Sequence, residues 1–278
     1  MSISTNKYNG IDSQDTPIIK YIKVPEYETR FGCNLGSFFG PLDSAGVLRR
    51  VSNTNKFDCN FAGVKSIQDS ALYAKFYYNR GVRDVFFPDL ETIWASGLYY
   101  GFRYSGIQRF IAPKLSDIKM QGLYYAFADT SIKTVDLSGI EVLTVQEALS
   151  GMFNYCRQVE SVDLSNLTEI SGGVRIMSSC FSGSGLKTMT FPKLRIITGD
   201  WALSGAFYNS LIETISFPAL VPSGLTTTNV FNGMLGACSG VTVHFPSNIE
   251  SVISSWADVQ NGFAGTNTTI LYDLPATE

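Results

Sequence analysis

Asp89–Phe102 reads DLETIWASGLYYGF, and Lys114–Phe127 reads KLSDIKMQGLYYAF. The second line restates the first 25 residues further on. A period that short sets the architecture before any site can be sought, because each copy is too small to bury its own apolar face. The repetition extends in both directions. Units begin at Phe57, Val82, Ile107, Ile132, Val159, Leu186 and Ile212, and a last, partial unit begins at Val241.

Aligned units give columns with a physical meaning. Cys59, Val85, Phe110, Val135, Val162, Met189, Ile215 and Val243 form one column. Two residues on stand Phe61, Phe87, Ala112, Leu137, Leu164, Phe191, Phe217 and Phe245. A spacing of two places both columns on one face of a strand. The residue between them faces out: Asn60, Phe86, Ile111, Asp136, Asp163, Thr190, Ser216 and His244. A Pro or Ser then stops the strand, since proline has no N–H with which to continue a ladder. Leu90, Leu115, Ile140, Leu167, Leu194 and Leu220 turn inward. Ile93, Ile118, Leu143, Ile170 and Ile197 follow three residues later.

In the second half of each unit the period changes. Leu98 and Phe102, Leu123 and Phe127, Leu149 and Phe153, Met177 and Phe181, and Leu203 and Phe207 are each four apart. That spacing predicts a short helix or 3-10 segment. Three residues past the aromatic anchor, Asn79, Ser105, Thr130, Cys156, Ser184, Ser210 and Cys238 form a small polar column. It reads as a ladder of side chains that satisfy turn backbone, which makes Cys156 and Cys238 structural. The phenylalanines Phe102, Phe127, Phe153, Phe181 and Phe207 form the matching core ladder. The fold class predicted is an α/β-type repeat solenoid: a curved rod with a parallel sheet on one face and short helical or 3-10 turns on the other. Strands about 4.8 Å apart over some eight units give a rod roughly 40 Å long.

Leu186–Pro218, and within it Ala206-Phe207-Tyr208-Asn209-Ser210, resembles the BspA-type leucine-rich repeat, also called the Treponema pallidum type. Met152-Phe153-Asn154-Tyr155-Cys156 carries the same match, and the resemblance covers residues 57–265. Ala112 departs from it, as does the break at Pro222-Ser223-Gly224. The resemblance implies a bacterial surface protein, an adhesin, or a bacteriophage structural or tail-associated protein. It leaves the ligand open.

Residues 1–30 read as a polar arm with a capping strand, 31–265 as the solenoid of about eight units, and 266–278 as a closing strand and tail. Phe31–Gly36 resembles Phe57–Gly63, so 31–56 read as a degenerate first unit, with Ile18–Tyr27 covering its edge. The N-terminus lacks the charged start and apolar core of a secretory signal. No apolar run approaches the roughly 18 residues of a membrane span.

Charged residues make up only 16% of the chain and the net charge is −3, so no nucleic-acid footprint is visible. The five cysteines form no CxxC pair, and His244 is the only histidine, so metal-site spacing is absent. No catalytic, cofactor or metal site is expected. His244 lies mid-strand in the outward column, and Ser182–Thr188, SGSGLKT, lacks the Gly-Lys-Ser/Thr order of a phosphate loop.

The candidate ligand contacts lie on the sheet face: Phe86, Arg109, Ile111, Asp136 and Asp163. Asp136 and Asp163 are neighbours in the outward column, either a cation or glycan contact or a solvated pair. Phe86 and Ile111 are adjacent outward apolar residues, either a contact patch or a surface covered by the N-terminal segment. Tyr99, Tyr100, Tyr124 and Tyr125 cluster beside the four-residue spacing, suited to glycan or protein contact or to packing. Asn166 and Asn267 open glycosylation-type triplets. The leading functional expectation is a non-enzymatic virion component that binds other virion subunits or a host receptor or glycan. The alternative is a bacterial cell-surface adhesin of the BspA kind. Neither involves membrane insertion, and either allows a homo-oligomer.

Overall fold

Residues that alternate inward and outward over three to five positions, then meet a proline, can make only short strands. Stacking those strands in parallel satisfies their backbone. The computed structural model describes residues 56–278 except Gly63, together with a backbone strand at Arg30–Phe31. It is a parallel β-solenoid whose coils have three sides.

The first side is a parallel sheet in two parts. One part runs β2 (Phe57–Asn60), β4 (Val82–Phe86), β6 (Arg109–Ile111), β8 (Thr134–Asp136) and β10 (Ser161–Asp163). The other runs β12 (Thr188–Thr190), β14 (Thr214–Ser216), β15 (Thr242–Pro246) and β16 (Thr269–Leu274). Register is in step from β4 to β10: Val85, Phe110, Val135 and Val162 are successive partners, as are Phe86, Ile111, Asp136 and Asp163, while the β2–β4 and β15–β16 pairs each carry a register shift.

The second side is a narrower parallel sheet, built where the Ile93, Ile118, Leu143, Ile170 and Ile197 column follows the inward leucines. It comprises β1 (Arg30–Phe31), β3 (Ser66–Ile67), β5 (Thr92–Ile93) and β7 (Asp117–Ile118), then β9 (Val142–Leu143), β11 (Glu169–Ile170) and β13 (Ile196–Ile197). Two-residue strands are too short to show alternation, which is why the sequence conceals them.

The third side carries the four-residue spacing. Short helical turns occur in the C-terminal coils: the 3-10 segments Pro222–Gly224, Ser247–Ile249 and Gly262–Ala264, and the helices α1 (Glu250–Ile253) and α2 (Ala257–Gln260). Elsewhere the spacing comes from consecutive β-turns. In the coil Trp94–Ser105, Gly97, Tyr99, Gly101, Arg103 and Ser105 each donate their N–H three residues back, at 2.8–3.1 Å. The alternate amides of Ser96, Leu98, Tyr100, Phe102 and Tyr104 cross to Met120, Gly122, Tyr124, Ala126 and Ala128 of the next coil, at 2.8–3.1 Å. Every fourth residue, Ser96, Tyr100 and Tyr104, has φ of 53–57°. It occupies the third place of its turn, where a type II turn requires positive φ.

Each left-handed residue costs about 1–2 kcal/mol. Per four residues the turn gains two cross-coil hydrogen bonds, each worth about 1 kcal/mol net. It also buries one Leu or Phe, worth about 1.5–3 kcal/mol. These gains outweigh the conformational cost, and unlike a helix the turns share alternate amides with the neighbouring coil.

Stacked rings fill the interior. Phe76, Phe102, Phe127, Phe153, Phe181 and Phe207 follow one another at centroid separations of 4.7–5.8 Å. Phe61 and Phe87 stack at 4.4 Å, and Phe191, Phe217 and Phe245 continue that column at 5.3 Å. Ala112 interrupts it, and the volume is restored from two residues away. Phe110, in a column otherwise of smaller side chains, lies 5.8 Å from Phe87 and 4.9 Å from Phe127. The expected arm at 1–30 and degenerate unit at 31–56 lie outside the described residues, apart from β1 and Lys56.

Candidate binding surfaces

On the turn side the residues at the tips of successive coils fall into register, so like stacks on like. Tyr73, Tyr99 and Tyr124 form one stack, with centroids 4.9 and 4.7 Å apart. Tyr78 stacks on Tyr104 at 4.8 Å, and Tyr77 meets Tyr78 edge-on at 4.6 Å. Tyr100 and Tyr125 sit between these groups. Arg103 lies at the centre. Its guanidinium is 4.8 Å from the Tyr104 ring and 5.1 Å from Tyr100, while Nε donates to Asp129 Oδ2 at 3.1 Å and Nη2 to the Tyr104 hydroxyl at 3.0 Å. Burial pushes the Tyr124 hydroxyl up to about 12 and raises Tyr99 as well, so both remain donors at neutral pH. Tyr73 and Tyr78 are 45% and 46% exposed. One turn earlier Trp94 is 42% exposed, with the Lys119 ammonium 5.9 Å from its ring.

The polar ladder lines the end of this side. Asn79 Oδ1 accepts from the amides of Gly81 and Val82, and Ser105 Oγ from Ile107. Thr130 Oγ1 and Cys156 Sγ both donate to the Phe127 carbonyl, at 2.6 and 3.0 Å, and Cys238 Sγ donates to Phe207 at 2.9 Å. Burial pushes the Cys156 thiol up to about 12 and also raises Cys59 and Cys180 well above the ordinary thiol range. Ser184 Oγ is buried with no hydrogen-bond partner among the described residues. Cys33 lies outside them.

On the sheet side, Asp136 and Asp163 are register partners, but each serves its own turn. Asp136 Oδ1 accepts from the amide and hydroxyl of Ser138, at 3.0 and 2.7 Å. Asp163 Oδ1 accepts from the Ser165 amide at 2.9 Å, and Asn60 Oδ1 from the Ala62 amide at 3.1 Å. In the other five units the residue two further on is Pro88, Pro113, Pro192, Pro218 or Pro246, which has no N–H. Their outward residues, Phe86, Ile111, Thr190, Ser216 and His244, include no Asn or Asp. Turn chemistry therefore accounts for which outward positions are acidic.

Arg109 pairs with Asp84 at 2.5 Å, and its guanidinium lies 5.6 Å from the ring of half-buried Phe86. Asp84 in turn donates its amide to Asp58, whose carboxyl burial raises above the usual range. Ile111, also half-buried, is the register neighbour of both Phe86 and Asp136. His244 Nδ1 lies 2.9 Å from Asp273 on β16.

The chain matches the model of the BspA type leucine-rich repeat region in six copies, over residues 71–202 and 169–256. It belongs to the BspA-type leucine-rich repeat family. No curated protein and no solved structure matches it.

In this BspA-type chain the sheet-face candidates fall into two groups. Phe86, Arg109 and Ile111 lie together on β4 and β6, while Asp136 and Asp163 are engaged by strand-ending turns on β8 and β10. Asn166 is tied to the Ser138 carbonyl at 2.8 Å and to Lys193 at 2.7 Å, which reads as coil-to-coil bracing. Arg103, Tyr73, Tyr77, Tyr78 and Tyr104 were not singled out from sequence. Their signal is tyrosine recurring with the repeat, as at Tyr73, Tyr99 and Tyr124. Among the described residues no group of three or more His, Cys, Asp or Glu side chains is placed to hold a metal ion. No helix among them is long and apolar enough to cross a membrane.

Proposed function

We propose that the chain is a non-enzymatic binding protein of the bacterial-surface adhesin kind, and that it engages a partner protein through the turn side of its N-terminal coils. One observation carries this: eight tyrosines, Tyr73, Tyr77, Tyr78, Tyr99, Tyr100, Tyr104, Tyr124 and Tyr125, form one contiguous surface of ring contacts joined through Arg103, which lies against Tyr100, Tyr104 and Tyr125. Tyrosine and arginine are the side chains that dominate binding energy at protein interfaces. Here stacking and the Asp129 contact already hold them, so little side-chain freedom is left to lose on binding. The family match favours the surface adhesin among the two functional expectations, and nothing in it points to a virion part.

The test is an array of immobilised host-surface proteins and glycans probed with the purified chain. Replacing Tyr99→Ser together with Arg103→Glu should weaken binding roughly tenfold or more, while Arg109→Gln on the sheet side leaves it unchanged. Sensitivity to Arg109→Gln alone would move the binding surface to the sheet.

A further inference from the structure

The first sheet divides once, between β10 and β12. At three other coil junctions of this sheet a carbonyl before the strand receives two amides. Gln108 O accepts from Lys133 and Thr134, Lys133 O from Glu160 and Ser161, and Lys187 O from Glu213 and Thr214. Glu160 O has no such partners among the described residues, so the amides of Lys187 and Thr188 are left without a backbone acceptor. The opening is bounded. The Gly185 amide still bonds Cys156 O at 3.0 Å, the Tyr155 amide bonds Ser182 O at 2.8 Å, and β11 stays paired with β13. The result is a fixed slit opening on a cleft of about 460 Å³ lined by Lys133, Arg157, Glu160, Gly185, Lys187 and Thr188.

Its charge is unbalanced. Lys133 faces Glu160 at 3.6 Å, and Lys187 pairs with Glu213 at 2.8 Å. Arg157 has no carboxylate partner among the described residues, and its guanidinium rests 5.9 Å from the Tyr155 ring. Two adjacent backbone donors beside an uncompensated guanidinium form an anion-receiving arrangement. A whole peptide strand does not fit, because insertion needs about 4.8 Å on each side and the coils are tied together at both ends of the gap.

We infer that this slit binds an oxyanion group, a sulfate or a carboxylate, through the Lys187 and Thr188 amides and Arg157. The inference is independent of the turn-side surface. Ser182–Thr188, whose order is wrong for a phosphate loop, supplies the donors through the break in the sheet and not through a loop motif.

The test follows the Lys187 and Thr188 amide resonances of the full chain during titration with sodium sulfate and, separately, sodium acetate, with chloride holding ionic strength constant. Saturable shifts at these two amides are expected, with a midpoint in the roughly millimolar range, weakened about tenfold by Arg157→Gln and unchanged by Arg175→Gln. Tighter sulfate binding points to a sulfated glycan, and tighter acetate binding to an acidic side chain. No saturable shift with either anion, or shifts equal in Arg157→Gln, would overturn the inference.

Discussion

Aspartate at 136 and proline at 113 solve the same problem in neighbouring coils. Each ends a strand, one by accepting an amide two residues on and the other by having no amide to satisfy two residues after Ile111. Asp136→Ala should therefore cost about 1 kcal/mol, the net worth of a hydrogen bond. The pair Asp136→Ile with Ser138→Pro, which copies the adjacent coil, should recover most of it. Chemical denaturation of the three proteins decides the matter; a double variant no more stable than Asp136→Ala would show that the pairing is coincidental. The same coupling was open to inspection in the sequence, since Asn or Asp occurs in the outward column only where proline does not follow. An outward Asn or Asp suits ligand contact as well as it suits a turn, and that ambiguity hides the coupling. The buried thiols make a second prediction at this scale. The fold holds the Cys156 proton up to about 12, whereas the unfolded chain releases it in the ordinary thiol range. Stability should then fall as pH rises from that ordinary range towards about 12, and be insensitive to this group below it. Cys156 should also resist alkylation at pH 8 until the chain unfolds, as read by peptide mass spectrometry; rapid native labelling would contradict its burial.

The turn side shows why element type was harder to read than element position. A four-residue spacing of Leu and Phe suits one face of a helix, and it suits equally a run of β-turns that buries every fourth side chain. Most of the residues that separate the two, such as Tyr100, Tyr125 and Trp201, are not ones that advertise a left-handed conformation, and the hint is confined to Asp129, Asn209 and glycines such as Gly151, Gly183, Gly205 and Gly233. Gly151 and Gly233 have φ of 62° and 56°, but differ in their surroundings. A Cβ at Gly151 would enter the Tyr125 ring, while one at Gly233 meets nothing within 4 Å. Gly233→Ala should therefore cost only the conformational term, about 1–2 kcal/mol. Gly151→Ala should cost more and displace Tyr125, visible as a change in tyrosine fluorescence. Equal losses from the two variants would mean that the tyrosine packs elsewhere.

For the molecule as a whole, the repeat made the solenoid legible because many columns agree at once, and the phenylalanine column located its core. The binding surface was legible only in part. Tyr99, Tyr100, Tyr124 and Tyr125 were visible as a cluster. Arg103 at their centre, and the slit between β10 and β12, depend on how coils stack, which no single unit records. Stacking also sets the energetics, since each coil is stabilised by its neighbours. Phe153→Ala should cost roughly 3–5 kcal/mol and split thermal unfolding into two transitions by weakening one junction. A single transition at the wild-type temperature would be inconsistent with Phe153 as part of a continuous core. The claim on which the rest stands is that the turn side is bonded from coil to coil and not within a helix. It can be tested by NMR scalar coupling across hydrogen bonds. The Phe153 amide should couple to the Cys180 carbonyl in the next coil, where the two atoms lie 2.7 Å apart. Coupling to the Leu149 carbonyl instead would make this segment a helix and contradict the account.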